Sequence, residues 1–313
     1  MSFTKGTLYK IPAAFFNGRA KLKAECPKCQ SNQNSRESTP ISIPIIGGPS
    51  VGKTCFMVAA TRGIMEEVAP KNQWGVSFLS DTDRIGFESV SGNMLRGSLP
   101  SKTVNGQISA FNFFISNKKW TTDKMIYFYD PAGETFSDIS SLQGHNYYEN
   151  YHGNVFMIDP FSIEELAKQY EIHPDYYASV NPSHAPLEET LDRLMIYFNE
   201  QYGIKPHQKI SKPIAFVINK VDAYNLSDQI GERAAMELME KDSTIKTVEE
   251  GIHQLCCQML GQAGMNNFLR KIEDKFTNYR FFASSAIKGT EYTSVDKPVL
   301  WVLSEADKDL KVS

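Results

Sequence analysis

The stretch 41–57, ISIPIIGGPSVGKTCFM, constrains this chain more than any other. Four isoleucines (Ile41, Ile43, Ile45, Ile46) lead into a glycine turn, and the turn opens into a helix with apolar residues at helical spacing. Gly47, four residues, then Gly52-Lys53-Thr54 fits G-x-x-x-x-G-K-[ST] without a mismatch, in the strand–loop–helix setting that pattern needs. Gly47 and Gly52 let the backbone curl so that N–H groups point inward at an anion. The helix that follows turns its positive end to the same point. Gly47, Gly48, Pro49, Ser50, Val51, Gly52, Lys53, Thr54 and Cys55 therefore form the expected phosphate cradle. Lys53 would reach the β- and γ-phosphates, and the Thr54 hydroxyl would hold Mg²⁺. The plain alternative is a glycine turn that merely precedes a helix, and the intact context argues against it. The stretch implies a nucleoside-triphosphate site.

A chain of 313 residues has room for one large α/β domain with insertions, or for two small ones. With 41% hydrophobic and 22% charged residues it can bury a full core. A net charge of −3 makes no electrostatic case for nucleic acid or an anionic membrane as partner. Five cysteines, no secretory segment, no membrane-length apolar run and no lipidation signal lead us to expect a cytoplasmic protein.

Residues 1–40 form an N-terminal extension, partly basic and loop-like over 31–39, ahead of a main domain at 41–313. The extension holds Cys26-Pro27-Lys28-Cys29. Two thiolates at this spacing make one knuckle of a zinc ribbon, but Zn²⁺ takes four ligands and no second pair completes the site. A degenerate ribbon or plain loop is the favoured reading; a structural Zn²⁺, within the chain or shared with a partner or second copy, is the alternative, and a redox CxxC lacks the thioredoxin-like βαβ setting. Cys55, Cys256 and Cys257 fall on expected helices as core positions.

Beyond the phosphate loop the helix is expected to run from Lys53 to about Val68 and end at Pro70. A short alternating piece (Trp74, Val76, Phe78) follows, then a helix to about Leu95 capped at Asp81-Thr82. Apolar runs at 108–115 and 125–129 flank a polar turn and should pair as a hairpin. A buried strand at 154–159 precedes an enlarged connection, 161–212, whose helix carries Leu187, Leu191, Leu194, Met195 and Phe198 on one face. In that connection His173, Tyr176, Tyr177 and His184 are ordinary loop residues or a partner patch. After a strand at 213–218, a second helical connection (225–276) is expected as helices 227–241 and 248–276, the latter broken near Gly261–Gly264. A strand at 279–283 and a short helix around 298–303 close the domain.

Three further motifs fall at expected strand ends. Asp130-Pro131-Ala132-Gly133-Glu134 follows the hairpin's second strand; its carboxylate can support Mg²⁺ through water, and Gly133 can offer an N–H to a γ-phosphate. Asn219-Lys220-Val221-Asp222 follows the strand at 213–218. Asp222 can accept from the guanine N1–H and exocyclic amine, which adenine does not supply, while the Lys220 stem lies over the base and Asn219 ties this turn to the phosphate loop. Ser284-Ser285-Ala286-Ile287 makes a small-residue turn in which a backbone N–H approaches the guanine O6.

In this order the motifs resemble the Ras-like, translation-factor-related P-loop GTPase superfamily over residues 41–303. DPAGE, a strand ending MIDP, the long insertion and the preceding CxxC look like the prokaryotic double-GTPase group of bacterial conflict and defence systems. The resemblance implies an α/β fold, a six-stranded, mostly parallel sheet wrapped by helices, with GTP or GDP across the strand C-termini. By motif, Lys53, Thr103, Gly133 and Glu134 would serve catalysis, and Thr54, Thr103 and Asp130 would hold Mg²⁺. Asn219, Lys220, Asp222, Ser285, Ala286 and Ile287 would bind the base. Thr103 is the expected switch threonine, with Thr82 as its substitute.

Two departures stand out. Glu134 occupies the place where many relatives orient water with Gln or His, and Pro49 fills a tight loop position usually held by a small residue. Both favour slow hydrolysis without a partner. The expected function is a GTP-hydrolysing switch controlling a protein partner, with homo-oligomerisation or assembly with other encoded subunits left open. The alternatives are a non-hydrolysing, GTP-bound structural subunit and an ATP-using P-loop enzyme in which NKVD is accidental.

Overall fold

The computed structural model describes residues 38–96, 109–130, 151–170, 181–202, 204–205, 207–286 and 294–312, together with the backbone of 24–25 and 32–33. Ala24–Glu25 and Asn32–Gln33 pair antiparallel, bracketing the CxxC in sequence; Cys26 and Cys29 themselves lie outside the described residues.

Among the described residues seven strands form the main sheet: β1 (Ser38–Ile46), β2 (Gly75–Phe78), β3 (Ser109–Ser116), β4 (Asp123–Asp130), β5 (Asn154–Ile158), β6 (Ile214–Ile218) and β7 (Tyr279–Ala283). Their order is β2-β3-β4-β1-β5-β6-β7. From β4 through β7 neighbours are parallel, while β2, β3 and β4 pair antiparallel. The count corrects the expected six. The alternating piece Val76–Phe78 does not stand alone but pairs with Phe113–Ile115, adding an edge to the hairpin.

β5 and β6 are buried at every position, as strands covered on both faces should be, and apart from Asn154 at the start of β5 both are continuous apolar runs. On one face, Phe156, Phe216 and Phe281 pack against α4 (Leu187–Tyr202), α7 (Val248–Gln262) and α8 (Asn266–Lys275). In α4, Leu191, Leu194 and Phe198 are fully buried. On the other face, Ile43, Met157 and Val217 meet α1 (Lys53–Gly63) and α9 (Asp296–Ala306) through Phe56, Val299 and Val302.

Local chemistry shifts three boundaries. The first helix does not stop at Pro70: α1 widens into a π-turn over Ile64–Val68 and continues through Lys71. Ala69 N–H reaches back five residues to the Ile64 carbonyl, and this looser ladder accommodates a residue that has no N–H. Helix α2 (Asp81–Leu95) is capped by Ser80, whose Oγ accepts from Asp83 N–H, so Asp81 and Thr82 already lie inside the first turn. The stretch 227–241 is two helices, α5 (Ser227–Ile230) and α6 (Glu232–Lys241), because Gly231 is extended. A short helix, α3 (Glu164–Gln169), lies in the connection after β5. No helix among the described residues is long and apolar enough to cross a membrane.

β1 contains Pro40 and Pro44 although it is a central strand. It pairs with β4 over 38–44 and meets β5 only at Ile45–Ile46. Between the prolines, Ser42 exchanges bonds with His152, giving its N–H to Nδ1 at 3.1 Å and accepting the His152 N–H at 2.9 Å. The topology reverses beside β1, where the chain goes first to β4 and later to β5, so the crevice of this fold opens at the C-terminal end of β1.

Candidate nucleotide site

At that crevice β1 delivers Gly47, and Pro49 and Ser50 take the turn. Ser50 occupies a left-handed corner at φ 61°, the kind of corner that a preceding proline sets up. Gly52 is the N-cap of α1 at φ 93°, and a Cβ there would stand 2.6 Å from Asn219 Nδ2. Backbone conformation and close approach both demand glycine at this point. Having no side chain, Gly52 cannot cap the helix, and no acidic residue lies in the first turn. The positive end of α1 therefore faces the loop. Lys53 is buried, its Nζ donating to the Gly47 and Gly48 carbonyls at 3.1 Å each, which holds the ammonium across the loop. Thr54 and Cys55, half-buried, follow it in the first turn of α1.

Beside the loop, β6 ends in Asn219-Lys220-Val221-Asp222. Asn219 is 2% exposed. Its N–H bonds the Ile158 carbonyl and its Nδ2 bonds the Val51 carbonyl, both at 2.9 Å. Its Oδ1 is buried with no hydrogen-bond partner among the described residues. Asp222 Oδ1 accepts from Ser285 Oγ at 2.6 Å, and Val221 N–H reaches the Ser284 carbonyl at 3.3 Å. Ser284 and Ser285 are fully buried, and Ala286 nearly so. Three separate turns thus converge: phosphate loop, NKVD and SSA. The donor set fits a nucleotide, with a helix end and ammonium for phosphates and an oriented carboxylate for a base edge.

Asp130 is the last residue of β4, the parallel neighbour of β1, so its backbone ends at the same edge of the sheet. Thr54 supplies the one hydroxyl in α1's first turn suited to Mg²⁺. Thr103, Gly133, Glu134 and Ile287, like the loop residues His173, Tyr176 and Tyr177, lie outside the described residues. Thr82 is exposed, and its neighbour Asp83 is bound to the backbone N–H and side-chain amide of Asn112 on β3. Among the described residues no group of three or more His, Cys, Asp or Glu side chains could hold a metal.

One cluster was not anticipated from motifs. Asp159 follows β5 and is 2% exposed. Its Oδ1 accepts from Phe161 N–H at 3.0 Å, and its Oδ2 from Ser183 N–H at 2.9 Å and Lys220 Nζ at 2.6 Å. Lys220 Nζ also donates to the Asn181 carbonyl at 3.0 Å. The segment 181–185 then passes against the phosphate loop: a Cβ on Gly48 would fall 2.4 Å from Ser183 Oγ and 2.9 Å from Ala185 Cβ. The available signal was the carboxylate of MIDP, standing in the same row of strand ends as the recognised motifs.

A model of the Double-GTPase 2 family matches residues 41–254, well over half of the chain. The chain belongs to the Double-GTPase 2 family. The matched span begins at the apolar run of β1 and takes in both the phosphate loop and the NKVD turn, so the domain is a P-loop, guanine-nucleotide-binding GTPase domain. A comparison with curated proteins finds no match. Among solved structures, the Arl6 (BBS3) small GTPase from Trypanosoma brucei with bound GppNp is similar at 14% identity and a TM-score of 0.41. That likeness covers 86% of this chain and 99% of the other. So loose a likeness leaves the architecture of this Double-GTPase 2 member to be read from its own sheet order.

Proposed function

We propose that this protein is a molecular switch that binds GTP, hydrolyses it with Mg²⁺ and presents different surfaces to a protein partner before and after hydrolysis. The observation that carries the reading is the bond from Asn219 to the Val51 carbonyl, which fuses a base-selecting turn to a phosphate loop. Asp222, oriented by Ser285, would accept from the guanine N1–H and amine; Asn219, whose buried Oδ1 has no hydrogen-bond partner among the described residues, stands three positions before it. Lys53 and the α1 N-terminus would bind the phosphates and stabilise the charge that grows on them during transfer. Thr54, with Asp130 through water, would hold Mg²⁺, which supplies charge neutralisation between the phosphates. Thr103 and Gly133 are the candidate γ-phosphate sensors, and Glu134 the candidate group beside the attacking water. Pro49 and Glu134 support slow turnover by the isolated chain. The bacterial conflict-system setting and the partner rest on the sequence resemblance.

The test is binding of fluorescent guanine and adenine nucleotides, followed by phosphate release. Guanine selectivity with slow release supports the switch. Guanine binding with no release supports a bound structural nucleotide instead, and equal binding of adenine rejects the base assignment.

A further inference from the structure

The guanine reading leaves open how Lys220 is held in place. Its backbone is left-handed, at φ 59°, and Tyr224 and Asn225 share this conformation at φ 53°. Non-glycine residues adopt it at a cost, and such positions persist where the surroundings over-determine them. A lysine stem has four rotatable bonds, so a free one would sweep across the base site rather than lie along it.

We infer that Asp159 is a positioning residue for guanine recognition. It anchors the far end of Lys220, so that the apolar stem of the lysine, and not its charge, is presented to the purine face. The inference rests on the guanine reading above. Its ground is the bonding of the Asp159 carboxylate, which is engaged on both oxygens. Phe161 N–H and Ser183 N–H fix the orientation, and the 2.6 Å bond from Lys220 Nζ ends on the oxygen that Ser183 also holds. The Asn181 carbonyl takes a second bond from the same ammonium, so 181–183 closes a ring with Asp159 around the lysine tip. The ammonium therefore points away from the expected base edge, toward β5. With only 1% of the carboxylate side chain and 16% of the lysine side chain exposed, this ion pair lies largely out of bulk water. Removing either partner would leave the other buried charge without its counter-ion, which disfavours alternative positions of the lysine tip. Through Ser183 and Ala185 the same segment abuts Gly48, so the anchor and the phosphate loop share one support.

The experiment uses the full chain and separates base from phosphate. Affinities for GDP, ADP and inorganic tripolyphosphate are measured in wild type, Asp159→Asn, Lys220→Met and the double variant, with thermal unfolding alongside. Lys220→Met keeps an unbranched apolar stem of similar length and removes the ammonium. Each single variant should weaken GDP about tenfold and leave tripolyphosphate within about twofold, with the double variant no worse than either single one. Equal losses for GDP and tripolyphosphate, or additive losses in the double variant, would reduce Asp159 to a scaffold residue and overturn the inference. If Asp159→Asn does not fold, Lys220→Met decides alone: GDP binding as in wild type overturns the inference. Failure of the underlying guanine reading looks different, because wild type itself would then bind GDP no better than ADP, and the positioning role would fall with it.

Discussion

The Asn219 side-chain amide donates to the Val51 carbonyl at 2.9 Å, joining residues 168 positions apart in the chain. A Cβ at Gly52 would stand 2.6 Å from the same amide nitrogen. Gly52→Ala therefore meets two objections at once, a left-handed φ of 93° and a collision with the bond that joins the two halves of the site. The conformational part alone costs about 1–2 kcal/mol. We expect a lowered denaturation midpoint and at least a hundredfold loss of GDP affinity. A variant with lower stability but wild-type GDP affinity would show that the loop is not the nucleotide cradle.

Base selection should depend on Asp222 and its support. Asp222→Asn is expected to move preference from guanine toward xanthine nucleotides, since the amide offers a donor where the carboxylate accepted. Ser285→Ala removes the 2.6 Å bond that orients Asp222 and should weaken GDP about tenfold while leaving selectivity for guanine over xanthine in place. Competition binding with GDP, XDP and ADP reads both effects. Unchanged selectivity in Asp222→Asn would make NKVD a structural turn.

Much of this arrangement was legible in the sequence because phosphate and base recognition impose short, local spacings. Gly47 to Thr54 and Asn219 to Asp222 are contiguous, and each ends an apolar run that could hardly be anything but a buried strand. What escaped depends on contacts between distant residues or on competing local chemistry. Ser80 outcompetes Asp81 as a cap because its hydroxyl reaches Asp83 N–H. The edge role of Val76–Phe78 depends on pairing with Phe113–Ile115, at least 35 residues on. Ser183 belongs to the site only because its N–H meets Asp159, and no spacing rule connects a loop residue to a strand end 24 positions earlier.

The contact of Gly48 with 181–185 gives a third prediction. An added methyl would fall 2.4 Å from Ser183 Oγ, a hydroxyl that can rotate away, and 2.9 Å from Ala185 Cβ, which has no rotamer to yield, so either the loop or the segment must shift. Gly48→Ala should weaken GDP and tripolyphosphate together, because displacement of the phosphate loop affects the part common to both. Adding Ala185→Gly should restore a good share of the affinity by removing the opposing methyl. Absence of any rescue would place the limiting clash at Ser183 or in the loop itself and not at Ala185.

Stability should fall as the medium becomes mildly acidic, and two histidines set the window. His253 Nδ1 accepts the Phe281 N–H at 3.1 Å, as His152 Nδ1 accepts that of Ser42. Burial pushes the His253 imidazole below its ordinary pKa of 6.5, and the nearby Arg280 charge pushes the same way. For His152, burial is again the main cause and Lys212 adds to it, against a smaller opposing pull from Asp307. In each case the folded pKa is depressed, so below 6.5 the unfolded chain takes up protons that the folded chain refuses. The stabilisation is whole above that pH and drains away as pH falls through the folded pKa values. Protonation at Nδ1 also removes the acceptor from a backbone N–H. Urea midpoints measured from about pH 7.5 to 5 should decline, and His253→Gln with His152→Gln should flatten the decline, leaving the acid limb below about pH 5 to the carboxylates. A double variant whose profile tracks wild type over that range would mean that neither ring is held neutral by the fold.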